Sequence, residues 1–295
     1  MNHRESTSLT SQHIGIGITT KDRWDCLFLT LSRIEELGMA VFETIVIDDG
    51  SLTPVSPKMM ERFPWVHFLR SESSLGLISQ RNRLASLLSC TYILGLDDDS
   101  FPLSGDIFEA MEWMQNHPEV VALAFRVQFQ DSSETGSAPS QVPFSVRDFI
   151  GCANMIHRSL FVKIGGYEER LSFFNEEAEF CLRAIQSGYE IHAYPAVVIQ
   201  HNASPIGRNF ARRARTFIRN EMLLALWYFP LSESLLRSLR ILPAILLKNP
   251  EWRNYPFHLA LGYFEAPFRY LTWSKPRKRF TASEYQDWKA LPSSS

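Results

Sequence analysis

Two apolar runs of this chain break off in consecutive aspartates, "TIVIDD" at 44–49 and "YILGLDDD" at 92–99. Short apolar runs bounded by turn residues read as buried strands. Carboxylates placed side by side repel, and desolvating one is costly unless it is paired or binds a metal. A fold that accommodates Asp97, Asp98 and Asp99 at a strand end is therefore expected to gain a ligand from them.

The segments around these turns alternate. "HIGIGIT" (13–19) reads as a strand and "RWDCLFLTLSRIEELG" (23–38) as a helix ending at Gly38. Strands follow at 42–51, 65–71 and 92–100, with a helix over 74–90. A helix over 106–118, closed by proline, leads into a strand over 120–129. A helix around 176–188 and a strand over 189–201 come later. This order predicts an α/β fold, a mostly parallel twisted sheet with helices on both faces. Ligands of such sheets bind outside the carboxyl ends of the strands, where both acidic turns fall.

Residues 131–143, "DSSETGSAPSQVP", hold almost nothing that could enter a core and read as a mobile surface loop. Beyond about residue 205 strand-like segments stop, and arginine, leucine and aromatic residues dominate. The chain is thus expected to comprise a disordered tail over 1–12, an α/β domain over 13–205 and a helical extension over 206–295.

Composition limits the function classes. With 45% apolar and 21% charged residues over 295 positions, the chain is ordinary for a soluble globular protein, and its net charge of -2 argues against coating nucleic acid. Cys26, Cys90, Cys152 and Cys181 show no C-x-x-C spacing, which favours reduced thiols in a cytosolic protein. Neither an apolar signal segment nor a run of about 18 apolar residues is visible. A cytoplasmic protein is expected, with peripheral contact to the cytoplasmic face of a membrane as the variant.

Each acidic cluster admits two readings. Asp97 and Asp99 could share Mg²⁺ or Mn²⁺ through oxygen ligands, or form a solvated acidic turn. Asp48 and Asp49 could accept hydrogen bonds from a ribose or a base, or make a plain Asp-Gly turn. The G-x-G of "GIGIT" lies inside a strand with no third glycine before a helix, so the dinucleotide fingerprint is absent. Glu176, Glu177 and Glu179 crowd a helix start, where the macrodipole favours negative charge. Glu176 and Glu177 point about 100° apart there and need not serve one partner. His201 closes an apolar strand, as an edge residue or as a ligand.

In order and spacing these clusters resemble an inverting family 2 glycosyltransferase with the GT-A fold. The resemblance spans roughly residues 13 to 220. It rests on "TTKDR", "IVIDDGS", "GLISQRNRLA", "LGLDDDS", the segment from "GCANMIHRS" through "FFNEEAEFCLRA" to "VVIQH", and "RN" at Arg219-Asn220. It implies that Thr19, Asp48, Asp49, Arg81, Asp97 and Asp98 bind the nucleotide sugar. It further implies that Asp97, Asp99 and His201 hold Mn²⁺ or Mg²⁺, with Asp99 the direct ligand. Glu177 falls at the second position of the family's acidic pair, where the catalytic base resides. The family usually has aspartate there, so Glu176 stays a candidate beside Glu177.

The implied activity is metal-dependent transfer of a sugar, with inversion, from a nucleotide-diphosphate donor to the hydroxyl of a glycan or lipid-linked acceptor. The setting would be cell-surface glycan, lipopolysaccharide or glycolipid synthesis. The rival is a non-catalytic GT-A domain that binds nucleotide sugar or glycan. A nucleotidyltransferase would carry a Gly-rich phosphate loop after the first strand, which "TTKDRWD" is not.

In the extension, Arg208, Arg212, Arg215 and Arg219 follow helical spacing and share one face, with Phe210, Ala214 and Phe217 roughly opposite. They read either as a solvated basic face or as contacts for diphosphate or an anionic acceptor. Arg213 is expected to be exposed. Residues 234–248 and 256–280 mix aromatic, leucine and basic residues, and Pro243 and Pro267 are expected to break long helices there. They read as a short-helix cap, or as a surface for an anionic membrane.

Overall fold

The computed structural model describes residues 13–130, 142–202, 209–273 and 277–294. The tail over 1–12, all but the last two residues of the 131–143 loop, and Arg208 lie outside them.

Four parallel strands open the fold: β1 (Ile14–Thr20), β2 (Glu43–Asp48), β3 (Val66–Arg70) and β4 (Tyr92–Gly95), in spatial order β3-β2-β1-β4. Helices α1 (Trp24–Glu36), α2 (Pro57–Arg62) and α3 (Leu77–Leu87) connect them. Period-2 alternation in β1 sends Ile14, Ile16 and Ile18 to one face, against Leu27, Leu31 and Ile34 of α1. Gly15 and Gly17 occupy the other face. A Cβ at Gly15 would lie 2.6 Å from Cys90 Sγ and one at Gly17 3.2 Å from Leu84 Cδ1. The two glycines of "GIGIT" therefore let α3 and the chain following it lie close on the sheet.

The remaining elements are β5 (Ser100–Ser104), α4 (Ile107–Gln115), β6 (Val120–Phe129), β7 (Phe144–Val146), β8 (Asn154–His157), α5 (Arg158–Ile164), α6 (Glu176–Gln186) and β9 (Glu190–His201). The run of parallel neighbours is interrupted at β4, which pairs antiparallel with β8, and β8 pairs antiparallel with β6. The long β9 runs parallel to β6 and carries β7 and β5, both antiparallel, along its other edge. The run expected as one strand over 92–100 is thus two strands. The aspartates form the turn between them, and β5 restarts at Ser100 opposite His201.

Four helices follow: α7 (Phe210–Tyr228), α8 (Leu231–Lys248), α9 (Pro256–Thr272) and α10 (Ala282–Ala290). Ile218 and Leu223 of α7, Ile241 and Ile245 of α8, and Leu259 and Ala266 of α9 join one buried cluster with Ile45, Ile47 and Ile78. The extension therefore covers one face of the sheet. Contrary to expectation, α8 runs through Pro243 and α9 through Pro267. An interior proline costs about 3 kcal/mol, and burial of Ile241 and Ile245 around Pro243, and of Leu259 and Ala266 before Pro267, offsets it. No helix among the described residues is long and apolar enough to cross a membrane.

Candidate active site

The acidic turn lies at the carboxyl end of β4, beside the ends of β1 and β2. Thr19 is buried there, and Thr20 Oγ1 donates to Asp98 Oδ2 at 2.8 Å. Arg23, just before α1, pairs with Asp98 at 3.2 Å and with Asp99 at 2.5 Å. Burial pushes the Asp98 carboxyl up to about 7, and Arg23 and Thr20 offset this only in part. Burial acts on Asp99 in the same direction, but His201 and Arg23 outweigh it and hold that carboxyl at about 2.

His201 reaches Asp99 because β5 and β9 pair, placing its Nε2 3.1 Å from Asp99 Oδ1. The two groups are close but not aligned as a hydrogen bond, so Asp99 Oδ1 is buried without a donor. A buried acceptor in that state calls for a partner. Asp97, Cys152 and His201 each offer a donor atom, all within 4.8 Å of one another. Two carboxylates and an imidazole in one neighbourhood suit a divalent ion such as Mn²⁺ or Mg²⁺, and the donorless oxygen of Asp99 is an acceptor that such an ion would satisfy. Cys152 is buried, which pushes its thiol well up, so it stands there as a neutral group. The residues present fit the ion.

On the other side of Asp97 lies Arg81 of α3. It bonds Asp97 Oδ1 at 2.7 Å, Glu177 Oε1 at 2.9 Å and Glu176 Oε1 at 3.1 Å. Burial would lower the basicity of Arg81, but the three carboxylates outweigh it and keep it charged. Glu176 is buried, and its Oε2 has no hydrogen-bond partner. Burial first, then the neighbouring Glu177, raise its pKa well above the carboxylate range. The Glu177 side chain is 17% exposed and can meet a ligand. Glu179 points elsewhere, to Arg183 at 2.6 Å and Arg277 at 2.9 Å.

The pair at the end of β2 divides its work. Asp49 accepts from Ser74 Oγ, the Leu75 and Gly76 amides and Gln80 Nε2, at 2.6–3.0 Å. Burial opposes its charge, but these bonds outweigh it and hold its pKa below the usual value. Four donors fill a carboxylate's lone-pair sites, so Asp49 shapes the loop before α3. Asp48 has one charged partner, Arg70 at 2.6 Å, and accepts from the Ser51 amide.

The arginine stripe is divided as well. Arg212 is exposed, whereas Arg215 pairs with Glu265 of α9 at 2.8 Å. Arg219 is buried, donates to Leu171 O at 2.8 Å and lies 3.5 Å from Glu265. Arg213, expected to be exposed, is half-buried with its guanidinium 4.6 Å from the Phe174 ring centroid. Sequence reasoning assigned no role to Arg23, Arg70, Gly151 or Asn220. For Arg23 the signal was the motif "TTKDR" itself. No local signal marked Gly151, where a Cβ would fall 2.1 Å from Glu177 Oε1.

A mixed sheet whose first half is parallel, with an acidic turn, a histidine and a glutamate helix at its ligand edge, defines the GT-A class of fold. The sequence model for "Glycosyl transferase family 2" matches residues 16–177, more than half of the chain. The chain belongs to glycosyltransferase family 2. No curated protein matches the sequence. Among solved structures the fold is similar to GalNAc-T7 with UDP, GalNAc and Mn²⁺, at TM-score 0.62 and 15% identity over 88% of this chain. It is also similar to the mannosyltransferase PcManGT of Pyrobaculum calidifontis with GDP-Man and Mn²⁺, at TM-score 0.58 and 14% identity, covering 92% of this chain and 94% of that one. S. aureus TarS 1-349 in complex with UDP gives TM-score 0.54 and 14% identity over 72% of this chain and 64% of that one. This chain spans 54% of the GalNAc-T7 chain it matches.

Proposed function

We propose that the chain transfers a glycosyl group, with inversion, from a nucleoside-diphosphate sugar to an acceptor hydroxyl, using a divalent cation held by Asp97, Asp99 and His201. The observation that carries this reading is Arg81, which ties the acidic turn to the glutamate pair within one guanidinium's reach. Membership of family 2 supports the reaction class. The similar folds of GalNAc-T7 with UDP and Mn²⁺ and PcManGT with GDP-Man and Mn²⁺ support the donor class and the ion.

A bound cation would neutralise the charge that collects on the leaving diphosphate. Thr19, Asp48 and Asp98 line the nucleotide side, while Asp49 braces their loop. Glu177 takes the acceptor proton as the acceptor oxygen bonds to the anomeric carbon. The bond from that carbon to the diphosphate oxygen breaks, and its electron pair leaves with the nucleotide. Arg81, 2.9 Å from Glu177 Oε1, aims that carboxylate. Glu176, whose burial favours the protonated form, is unsuited to accept that proton. Among the described stripe residues, Arg212 is the one left exposed for an anionic acceptor. A glycan or lipid-linked acceptor at the cytoplasmic face, in cell-surface glycan, lipopolysaccharide or glycolipid synthesis, completes the reading.

The test is a screen of UDP-, GDP-, dTDP- and CMP-sugars with Mn²⁺, Mg²⁺ or EDTA, reading donor binding and nucleotide release. Release should need the cation and fall sharply in Asp99→Ala. Glu177→Gln should lower turnover by about 10²–10⁴-fold while donor binding persists, and Glu176→Gln should cost less. Binding without turnover, whatever the acceptor, would favour the non-catalytic domain. A folded protein that binds no nucleotide sugar would sink the transferase reading and leave the rival only as a glycan-binding domain.

A further inference from the structure

Helices α8 and α9 each bury one side against the protein and leave the other bare. On α9, Leu259, Gly262 and Ala266 are buried, and a Cβ on Gly262 would lie 2.2 Å from Arg215 O of α7, so the helices meet at backbone distance. At 100° per residue, Phe257, Leu261, Phe264, Phe268 and Leu271 fall within about 80° of one another on the opposite side. All five are exposed, Phe264 and Leu271 by 73% each. Helix α8 repeats the arrangement. Ile241 and Ile245 are buried, while Leu235, Leu239, Pro243 and Leu247, at i, i+4, i+8 and i+12, are exposed. Scattered exposed apolar residues are ordinary, but a periodic stripe on each of two helices marks an interaction surface.

Charge selects the occupant. Residues 203–295 carry 15 Lys and Arg against 6 Asp and Glu, whereas residues 1–202 carry 15 against 26. The extension is therefore +9 and the rest of the chain -11. Arg240 on α8, Arg253 in the α8–α9 connection and Lys278 beyond α9 are exposed. A second copy docking through this surface would bring like charges together, whereas an anionic lipid surface complements them. Apolar side chains and basic residues together supply the two signals that stable surface binding needs.

We propose that the outward faces of α8 and α9 dock on an anionic bilayer. Their phenylalanine and leucine side chains enter the acyl boundary, and Arg240 and Arg253 meet the headgroups. This binding needs neither donor nor turnover, so it stands or falls independently of the transferase reading.

Co-sedimentation of the full chain with phosphatidylcholine vesicles, with and without phosphatidylglycerol, tests it. Binding is expected on the anionic vesicles, weakening as salt rises. Joint Phe264→Ser and Phe268→Ser should lower the association constant about tenfold or more, and joint Arg240→Glu and Arg253→Glu should remove the preference for anionic lipid. Thermal melts and donor turnover in solution should be unchanged in both variants, separating lost docking from lost folding. No vesicle binding by the folded wild-type chain overturns the proposal. So does a dimer in sedimentation velocity that the phenylalanine variant dissolves, which would make the surface a self-interface.

Discussion

Arg81 shows how single side chains organise this site. Its guanidinium is shared among Asp97, Glu176 and Glu177, and it meets Glu177 Oε1 in a gap left by Gly151. A Cβ there would sit 2.1 Å from Glu177 Oε1 and 2.5 Å from Arg81 Nη1, both at the ends of flexible side chains. Gly151→Ala is therefore expected to fold nearly normally, with Tm within about 4 °C of wild type. Its kcat should fall by about 10²-fold, because a misplaced base forfeits orientation. Steady-state kinetics beside a thermal melt would check this, and unchanged kcat would mean that the Glu177 pose seen here is not the working one. That Glu177 follows Glu176 at a helix start was legible in the sequence, and the role proposed for it rests on the family resemblance. The gap at Gly151 was not legible, since "GCAN" was visible only as the start of a matching segment, with nothing to show what its glycine faces.

At the scale of elements, the start of α6 is held by α7. Ser172, Phe174 and Asn175 all have positive φ, at 66°, 68° and 66°, a conformation costing non-glycine residues of order 1–3 kcal/mol each. Asn220 Nδ2 donates to the carbonyls of Leu171, Phe173 and Phe174, and Asn175 Nδ2 donates to Glu221 Oε1 at 2.6 Å. The clamp thus comes from a helix some 45 residues downstream and sets where Glu177 begins its turn. Asn220→Ala should cost about 1–3 kcal/mol, as buried carbonyls lose their donor, and should lower kcat more than it raises KM. Urea unfolding with kinetics on the same preparation would measure both. Stability lost with kcat intact would confine Asn220 to packing. In the sequence "RN" was visible only as the end of a matching stretch, because its three carbonyl partners lie in another loop.

Across the whole molecule, the C-terminal helices are tied to the sheet half through Glu168 and the buried Glu179. Arg277 pairs with Glu168 and with Glu179, and Glu168 also accepts from Arg170 at 2.7 Å. Burial pushes the Glu168 carboxyl up, but Arg170 and then Arg277 outweigh it and hold it at about 2. A depressed carboxyl stabilises the fold above its ordinary pKa of 4.5 and loses that contribution as pH falls through about 2. Glu168→Gln should therefore be less stable than wild type by about 2–3 kcal/mol at pH 7. The gap should narrow between pH 4.5 and 2. Urea titrations of both proteins at pH 7, 4 and 3 would show it, and a gap constant across that range would rule the linkage out.

The sequence by itself determined the strands of the sheet's first half, the acidic turns at their carboxyl ends and the glutamates opening α6. Those follow from periodicity and charge among neighbouring residues, which any register preserves. Only the tertiary structure decided that β4 is followed by antiparallel partners, that His201 stands beside Asp99 and that Arg23 and Arg81 flank the aspartates. It alone turned Arg215 and Arg219 towards Glu265 and carried α8 and α9 through their prolines. Each of these rests on contacts or burial set by distant residues, where sheet register and shared packing, not local preference, carry the larger free energy.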